Sequence, residues 1–167
     1  MRTLALSPFS GLASLAPLVV RVIVGVIMTV HGFQKLVGGP TNFGAFLGQL
    51  GVPLPTLMAF VVTFVELVGG ILLILGLFSR LAALLLTIDL AVAILLVKLG
   101  VGLIAPADQP GAGYELDLAL IAGFLVVLFA GPGPLSIDRI LGLDGDTADG
   151  TRTRSGRRDS VVESRHD

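Results

Sequence analysis

Eight ionisable side chains lie inside or at the ends of long apolar runs: Arg21, His31, Lys35, Glu66, Asp89, Lys98, Glu115 and Asp117. A charged group at the centre of a lipid bilayer costs about 2.5–3.5 kcal/mol on insertion scales, so each of these must be paired, hydrated or used. Glu66 is the most exacting, because it stands in the middle of LMAFVVTFVELVGGILLILGLF with Gly69 and Gly70 on its own helical face. A carboxylate there serves either as a proton carrier or as half of an ion pair with a base such as Arg21. Cysteine is absent, and of the two histidines His166 belongs to a polar tail. Thiolate zinc, Fe–S clusters and bis-histidine haem are therefore excluded for this chain alone, and no metal site is expected.

These residues need elements to carry them. A spanning helix takes about 20 mostly apolar residues, and four runs meet that need: about Pro17 to Leu36, Leu57 to Phe78, Leu81 to Val101 and Tyr114 to Ala130. Lipid leaves unpaired backbone groups unsatisfied, so each run is expected to be helical. The expected fold is an all-α, four-span antiparallel transmembrane bundle. Gly38-Gly39-Pro40 breaks the first span, Thr41-Asn42 can cap a new helix, and FGAFLGQLG then reads as a short interfacial helix. Ser79-Arg80 is the only link between the second and third spans, which predicts a tight hairpin. The fourth span stops at Gly131-Pro132-Gly133-Pro134.

The resulting domain plan is an N-terminal segment over 1–15, a membrane domain over 16–141 and a disordered polar tail over 142–167. Arg21 interrupts the first run and no small-residue cleavage site comes after it, so a secretory leader is not expected there. Four spans put both termini on one side. Arg2, Arg80, Arg139 and the five tail arginines would share that side, which the Lys/Arg bias makes cytoplasmic.

Helical periodicity sorts the charges by face. Arg21, Met28, His31 and Lys35 fall within about 80° of one another at about 100° per residue, a basic stripe that must face protein. On the fourth span Glu115, Ala119, Ala122 and Gly123 form a small-residue seam. By depth, Arg21 can reach Asp89 or Glu66, while His31, Lys35 and Lys98 can group with Glu115 and Asp117. Ideal geometry sets Lys98 about 180° from Asp89, so those two should not reach one spot.

Composition agrees with this placement. Hydrophobic residues make up 54% of 167 and charged residues 14%, too few charges to cover a soluble surface. Eleven basic against 12 acidic residues leave no electrostatic footprint for nucleic acid. Plainer roles stand beside the chemical ones: Arg21 with an acid can simply fix helix register, His31 can be a hydrogen-bonded packing residue, and Lys35, Lys98 and Arg80 can be interfacial anchors.

Several segments together resemble one family. They are the arginine-bearing first span ending in HGFQKL, the turn from Gly51 to Pro55, VELVGGILLILGLFSRLAALLL from Val65 to Leu86, and Tyr114-Glu115-Leu116-Asp117 with the later GPGPLSID. This pattern resembles the DoxX family of small bacterial membrane proteins over about residues 16–141. The resemblance implies a four-helix inner-membrane protein related to a subunit of thiosulfate:quinone oxidoreductase, with no cofactor of its own. It points to a diffusible quinone or a soluble or membrane redox partner around Arg21, His31, Lys35, Glu66 and Glu115. On that reading Glu66 and His31 relay a proton, while Arg21, Lys35, Glu115 and Asp89 bind substrate. A non-catalytic scaffold or small-solute carrier, with homo-oligomers allowed, is the alternative.

Overall fold

The computed structural model describes residues 12–106 and 112–143. The expectations for residues 1–11 and for the tail from 144 onward lie outside the described residues. Within them the chain is all helical, with no strand. In chain order the elements are α1 (Ala16–Gly38), α2 (Pro40–Gln49), α3 (Pro55–Leu75), α4 (Ser79–Ala93) continued by a π-turn over Ile94–Lys98, α5 (Glu115–Ala130) and α6 (Ile137–Ile140).

Among the described residues three stretches are long and apolar enough to cross a membrane: Leu12–Gly38, Pro55–Leu75 and Ser79–Lys98, of 27, 21 and 20 residues. Their outward faces are apolar, as lipid requires. On α1 the exposed residues Val19, Ile23, Val26, Val30, Phe33 and Val37 recur at helical spacing on the side away from the core. The fourth expected span is the 16-residue α5. At 1.5 Å per residue it covers about 24 Å, short of a hydrocarbon layer of about 30 Å. Its start is set by loop bonds, Tyr114 N–H to Gly102 and Glu115 N–H to Leu103, and its end by Gly131 at φ +85°.

The core is built on α1 and α3, which run antiparallel in close contact. A Cβ on Gly70 would meet the Gly25 carbonyl oxygen at 2.7 Å, and one on Gly32 would run into the backbone of Leu67. Small residues at these points let the two backbones touch, and dispersion contacts replace the hydrophobic drive that lipid does not supply. Helix α4 packs on α3 and α5, and α5 also packs on α1. Met28, Leu73, Leu86, Phe124 and Val127 fill the centre.

Three local expectations need correction. The second helix starts at Pro40 with Gly39 (φ +87°) before it, so Thr41 and Asn42 lie inside the first turn and Asn42 donates back to the Gly38 carbonyl. Proline at the first helical position has no N–H to orphan, which makes the earlier start the cheaper one. The hairpin link is Gly76 to Phe78, both in left-handed conformation at its ends, with Ser79-Arg80 already helical. On α5 the buried face is Asp117, Leu120, Phe124 and Val127, whereas Glu115, Ala119 and Ala122 are exposed. Burying the large side chains and the Asp117 ion pair outweighs burying a seam of small ones.

Candidate functional site

Lys35 and Glu66 form an ion pair across the α1–α3 contact. Their side chains are 22% and 5% exposed. Lys35 stands near the end of α1, and its long stem runs back along the helix toward Glu66, as side chains on a helix lean toward the N-terminus. The Phe43 ring of α2 lies under the ammonium at 5.5 Å, a cation–π contact. Glu66 is thus paired with Lys35 instead of Arg21. The α1–α3 register dictates this, because Gly25 faces Gly70 and Gly32 faces Leu67, which leaves Arg21 beyond the Gly70 end and far from Glu66.

Two cavities, each of about 230 Å³, open on either side of this pair. Lys35, Phe43, Glu66, Ala93 and Val97 line both. The first also has His31, Lys98 and Asp117 in its wall. The second is walled chiefly by apolar groups, among them Leu47, Met58, Val62 and Leu96, with Asp89 as its further acid.

The first cavity holds a second ion pair, Lys98 Nζ to Asp117 Oδ2 at 2.5 Å. The π-turn explains how Lys98 gets there. Leu99 N–H bonds to the Ile94 carbonyl at 2.7 Å, an i to i+5 closure that adds a residue to the turn and rotates the succeeding residues around the axis. Asp89 and Lys98 line different cavities, as their separation around the helix leads one to expect, and those cavities share a wall. His31 is fixed by a 2.9 Å bond from Nδ1 to the Ile27 carbonyl. A carbonyl only accepts, so Nδ1 is the donor in this bond, and Nε2 is the ring nitrogen not engaged by it. Asp89 accepts no hydrogen bond among the described residues, yet lies near enough to Lys35 and Glu66 to feel both charges.

The other sequence-predicted residues are elsewhere. Arg21 is 1% exposed at the opposite end, where Nη2 donates to the Leu135 carbonyl at 2.7 Å while Nε and Nη1 have no partner among the described residues. Its guanidinium lies against Gly76, where any side chain would collide with it. Asp138 faces Arg21 electrostatically and binds the start of α4, accepting from Phe78 N–H at 2.7 Å and Ser79 N–H at 2.8 Å. Glu115 sits exposed at the first turn of α5 and lines neither cavity. The structure thus brings together His31, Lys35, Glu66 and Asp89, and sets Arg21 and Glu115 apart. Phe43, Lys98 and Asp117 join the site. Depth along the spans already groups Lys98 and Asp117 with His31 and Lys35, whereas Phe43 has no charge or spacing that singles it out in the sequence.

Among the described residues no cluster of three or more His, Asp or Glu could hold a metal ion. The site is instead a pair of apolar pockets with a few fixed charges, the kind of lining that takes a small organic molecule and orients it by one or two polar contacts.

Comparison with known proteins is consistent over most of the chain. The DoxX family profile matches residues 16–99. An uncharacterised membrane protein of Mycobacterium tuberculosis is 36% identical over 138 residues, 73% of this chain and 78% of that protein. The Bacillus subtilis protein named "Putative oxidoreductase CatD" is 42% identical over 82 residues, 49% of this chain and 59% of that one. An Escherichia coli inner membrane protein, YphA, is 28% identical over 148 residues, 83% of this chain and 99% of that one. No solved structure matches.

Proposed function

The chain belongs to the DoxX family, and from that premise we propose that it is a quinone-binding membrane component of an oxidoreductase. The observation that carries this is the pair of apolar cavities meeting at a buried Lys35–Glu66 ion pair. A quinone ring is flat, apolar and accepts hydrogen bonds at its two carbonyl oxygens. Phe43 and Phe46 supply a surface for the ring. The Lys35 ammonium, or Lys98 beyond it, supplies a donor to one oxygen. His31 Nε2 and Glu66 are groups within the cavity wall that can take up and return the two protons a quinol exchanges with its two electrons. In this reading the electrons come from a redox partner subunit. The name of the Bacillus subtilis relative supports an oxidoreductase setting.

In this reading α5 is the fourth span of an antiparallel bundle, its shortness met by local thinning or by the Gly131–Ser136 segment. The membrane is the bacterial plasma membrane, and the arginine-rich end carrying Arg80, Arg139 and both termini is cytoplasmic. The cavities then face the outer leaflet.

The test is purification from native membranes in mild detergent, extraction, and mass spectrometry for quinones, together with equilibrium binding of added 1,4-naphthoquinone. Quinone should accompany the native protein and fall at least about tenfold in Lys35→Met, the loss of one charged donor being worth about 1.5–3 kcal/mol. A native protein that neither carries quinone nor binds 1,4-naphthoquinone refutes the proposal.

A further inference from the structure

The two cavities adjoin along a shared wall. Lys35, Phe43, Glu66, Ala93 and Val97 belong to the walls of both. Of these, Phe43, Ala93 and Val97 are set by their helices, and Glu66 is held at 5% exposure inside the α1–α3 contact. Lys35 alone combines a long flexible stem with 22% exposure, so it is the part of the wall that can move. Each cavity, at about 230 Å³, falls below the range of roughly 300–1,000 Å³ typical of small-molecule sites. Joined, they fall within it.

The two halves also differ in chemistry. One adds His31 and the Lys98–Asp117 pair to an otherwise apolar wall. The other is apolar, with Leu47, Val52, Met58, Val62 and Leu96. An ammonium leaving Glu66 needs another acid, and Asp89 is one. It lines the apolar half, feels both Lys35 and Glu66, and has no hydrogen-bond partner of its own among the described residues. The remaining charges around it are already committed, Lys98 to Asp117 and His31 Nδ1 to Ile27.

We infer that the two halves are one bipartite site for a molecule with a carbonyl-bearing ring and a short apolar tail, with the Lys35 ammonium as the movable partition and Asp89 as the acid that receives it. The ring takes the half with His31 and Lys98, where polar contacts orient its oxygens. The tail takes the half with Met58 and Leu96. This inference rests on the proposed quinone site and adds to it which half holds which part and where Lys35 goes. Asp89 is a positioning residue in this scheme, acting through Lys35 without touching the ring.

The test measures equilibrium binding of two probes, 1,4-naphthoquinone and its 2-prenyl derivative, to the full-length protein in nanodiscs. Met58→Phe, and Val52→Phe in the preceding loop as a second variant less tied to folding, should each lower the ratio of prenylated to plain affinity about tenfold by filling the tail half. Asp89→Asn should weaken both probes about tenfold in the native background, and this effect should vanish when Lys35 is already Met. An unchanged affinity ratio in both filling variants overturns the bipartite arrangement. An Asp89→Asn effect that persists without Lys35 overturns the partition. Failure of the native protein to bind either probe removes the quinone site itself, and this inference with it, whereas binding with unchanged ratios removes the inference alone.

Discussion

Replacing Asp138 is expected to damage the protein from a distance, because its carboxylate caps a helix that begins 59 residues earlier in the chain. Asp138 is 5% exposed and accepts from Phe78 N–H at 2.7 Å and Ser79 N–H at 2.8 Å, two of the four donors at the start of α4 that no helical carbonyl can satisfy. It also opposes the buried charge of Arg21, whose Nε and Nη1 have no hydrogen-bond partner among the described residues. Asp138→Ala leaves two sheltered N–H groups unpaired at about 1–3 kcal/mol each. Part of this is regained through water at the helix end, which puts the expected loss near about 3 kcal/mol. Asp138→Asn keeps one acceptor oxygen, can satisfy one of the two donors, and should lose about half as much. Both should still fold, because the backbone bond from Asp138 N–H to the Gly76 carbonyl at 2.8 Å does not depend on the side chain. Unfolding in mixed micelles by titration with SDS measures the difference. A shift below about 0.5 kcal/mol for Asp138→Ala would refute the reasoning and show that the α4 donors are satisfied without this carboxylate.

Further outcomes rest on the same geometry. Glu66→Gln should cost about 1–2 kcal/mol of stability, less than a fully buried pair because Lys35 is 22% exposed, and Lys35→Met in the same chain should recover part of it, which a double-mutant cycle in micelles measures. Lys98→Met should cost about 2 kcal/mol by stranding Asp117, whose side chain is 7% exposed, and Asp117→Asn should restore most of that in the double variant by the same assay. Gly32→Val should separate α1 from α3 and lower the melting temperature more than Gly38→Val, since the first would strike the Leu67 backbone and the second meets open space. In a chain without native cysteine, Ala105→Cys should react with an impermeant thiol reagent in whole cells and Leu143→Cys should not, and the reverse pattern would overturn the proposed orientation.

The helices were readable because their cause is local. A run of apolar residues of bilayer length, broken by Gly-Pro, states both its identity and its ends, and the observed α1 and α3 bounds differ from the expected ones by three residues or fewer. The Gly69-Gly70 face of α3 was readable for a similar reason, since small residues beside an acid announce close approach. Partners were harder. Depth alone allowed Arg21 to meet Glu66, but pairing depends on helix register, and register is set by contacts such as Gly25 on Gly70 that periodicity cannot assign. The π-turn at Ile94–Lys98 was invisible because it leaves no compositional mark, yet it decides where Lys98 points.

The GPGPLSID stretch shows the same limit from the other side. As sequence it says only that a helix stops. In the structure the stop returns to the starts of α1 and α4, gives Arg21 its carbonyl partner at Leu135 and gives α4 its cap at Asp138. Arg21 is therefore tied to the backbone at one end of the molecule, and Lys35, fourteen residues along the same helix, is tied to Glu66 near the other. On the proposed scheme, a basic stripe on one helix face is divided into a fixed end and a movable one. The guanidinium suits the fixed task because its planar fork stays charged and holds several donors in place, and the single ammonium on a flexible stem suits a contact that must be made and broken. Exchanging the two, with Arg21→Lys and Lys35→Arg made separately, should accordingly hurt different properties: the first lowers stability in micelles with little effect on ligand affinity, and the second leaves stability near native while weakening ligand binding. Loss of stability in both variants, with affinity preserved in both, would mean that Lys35–Glu66 is a structural tie like Arg21–Leu135 and that the cavities beside it are no more than packing gaps.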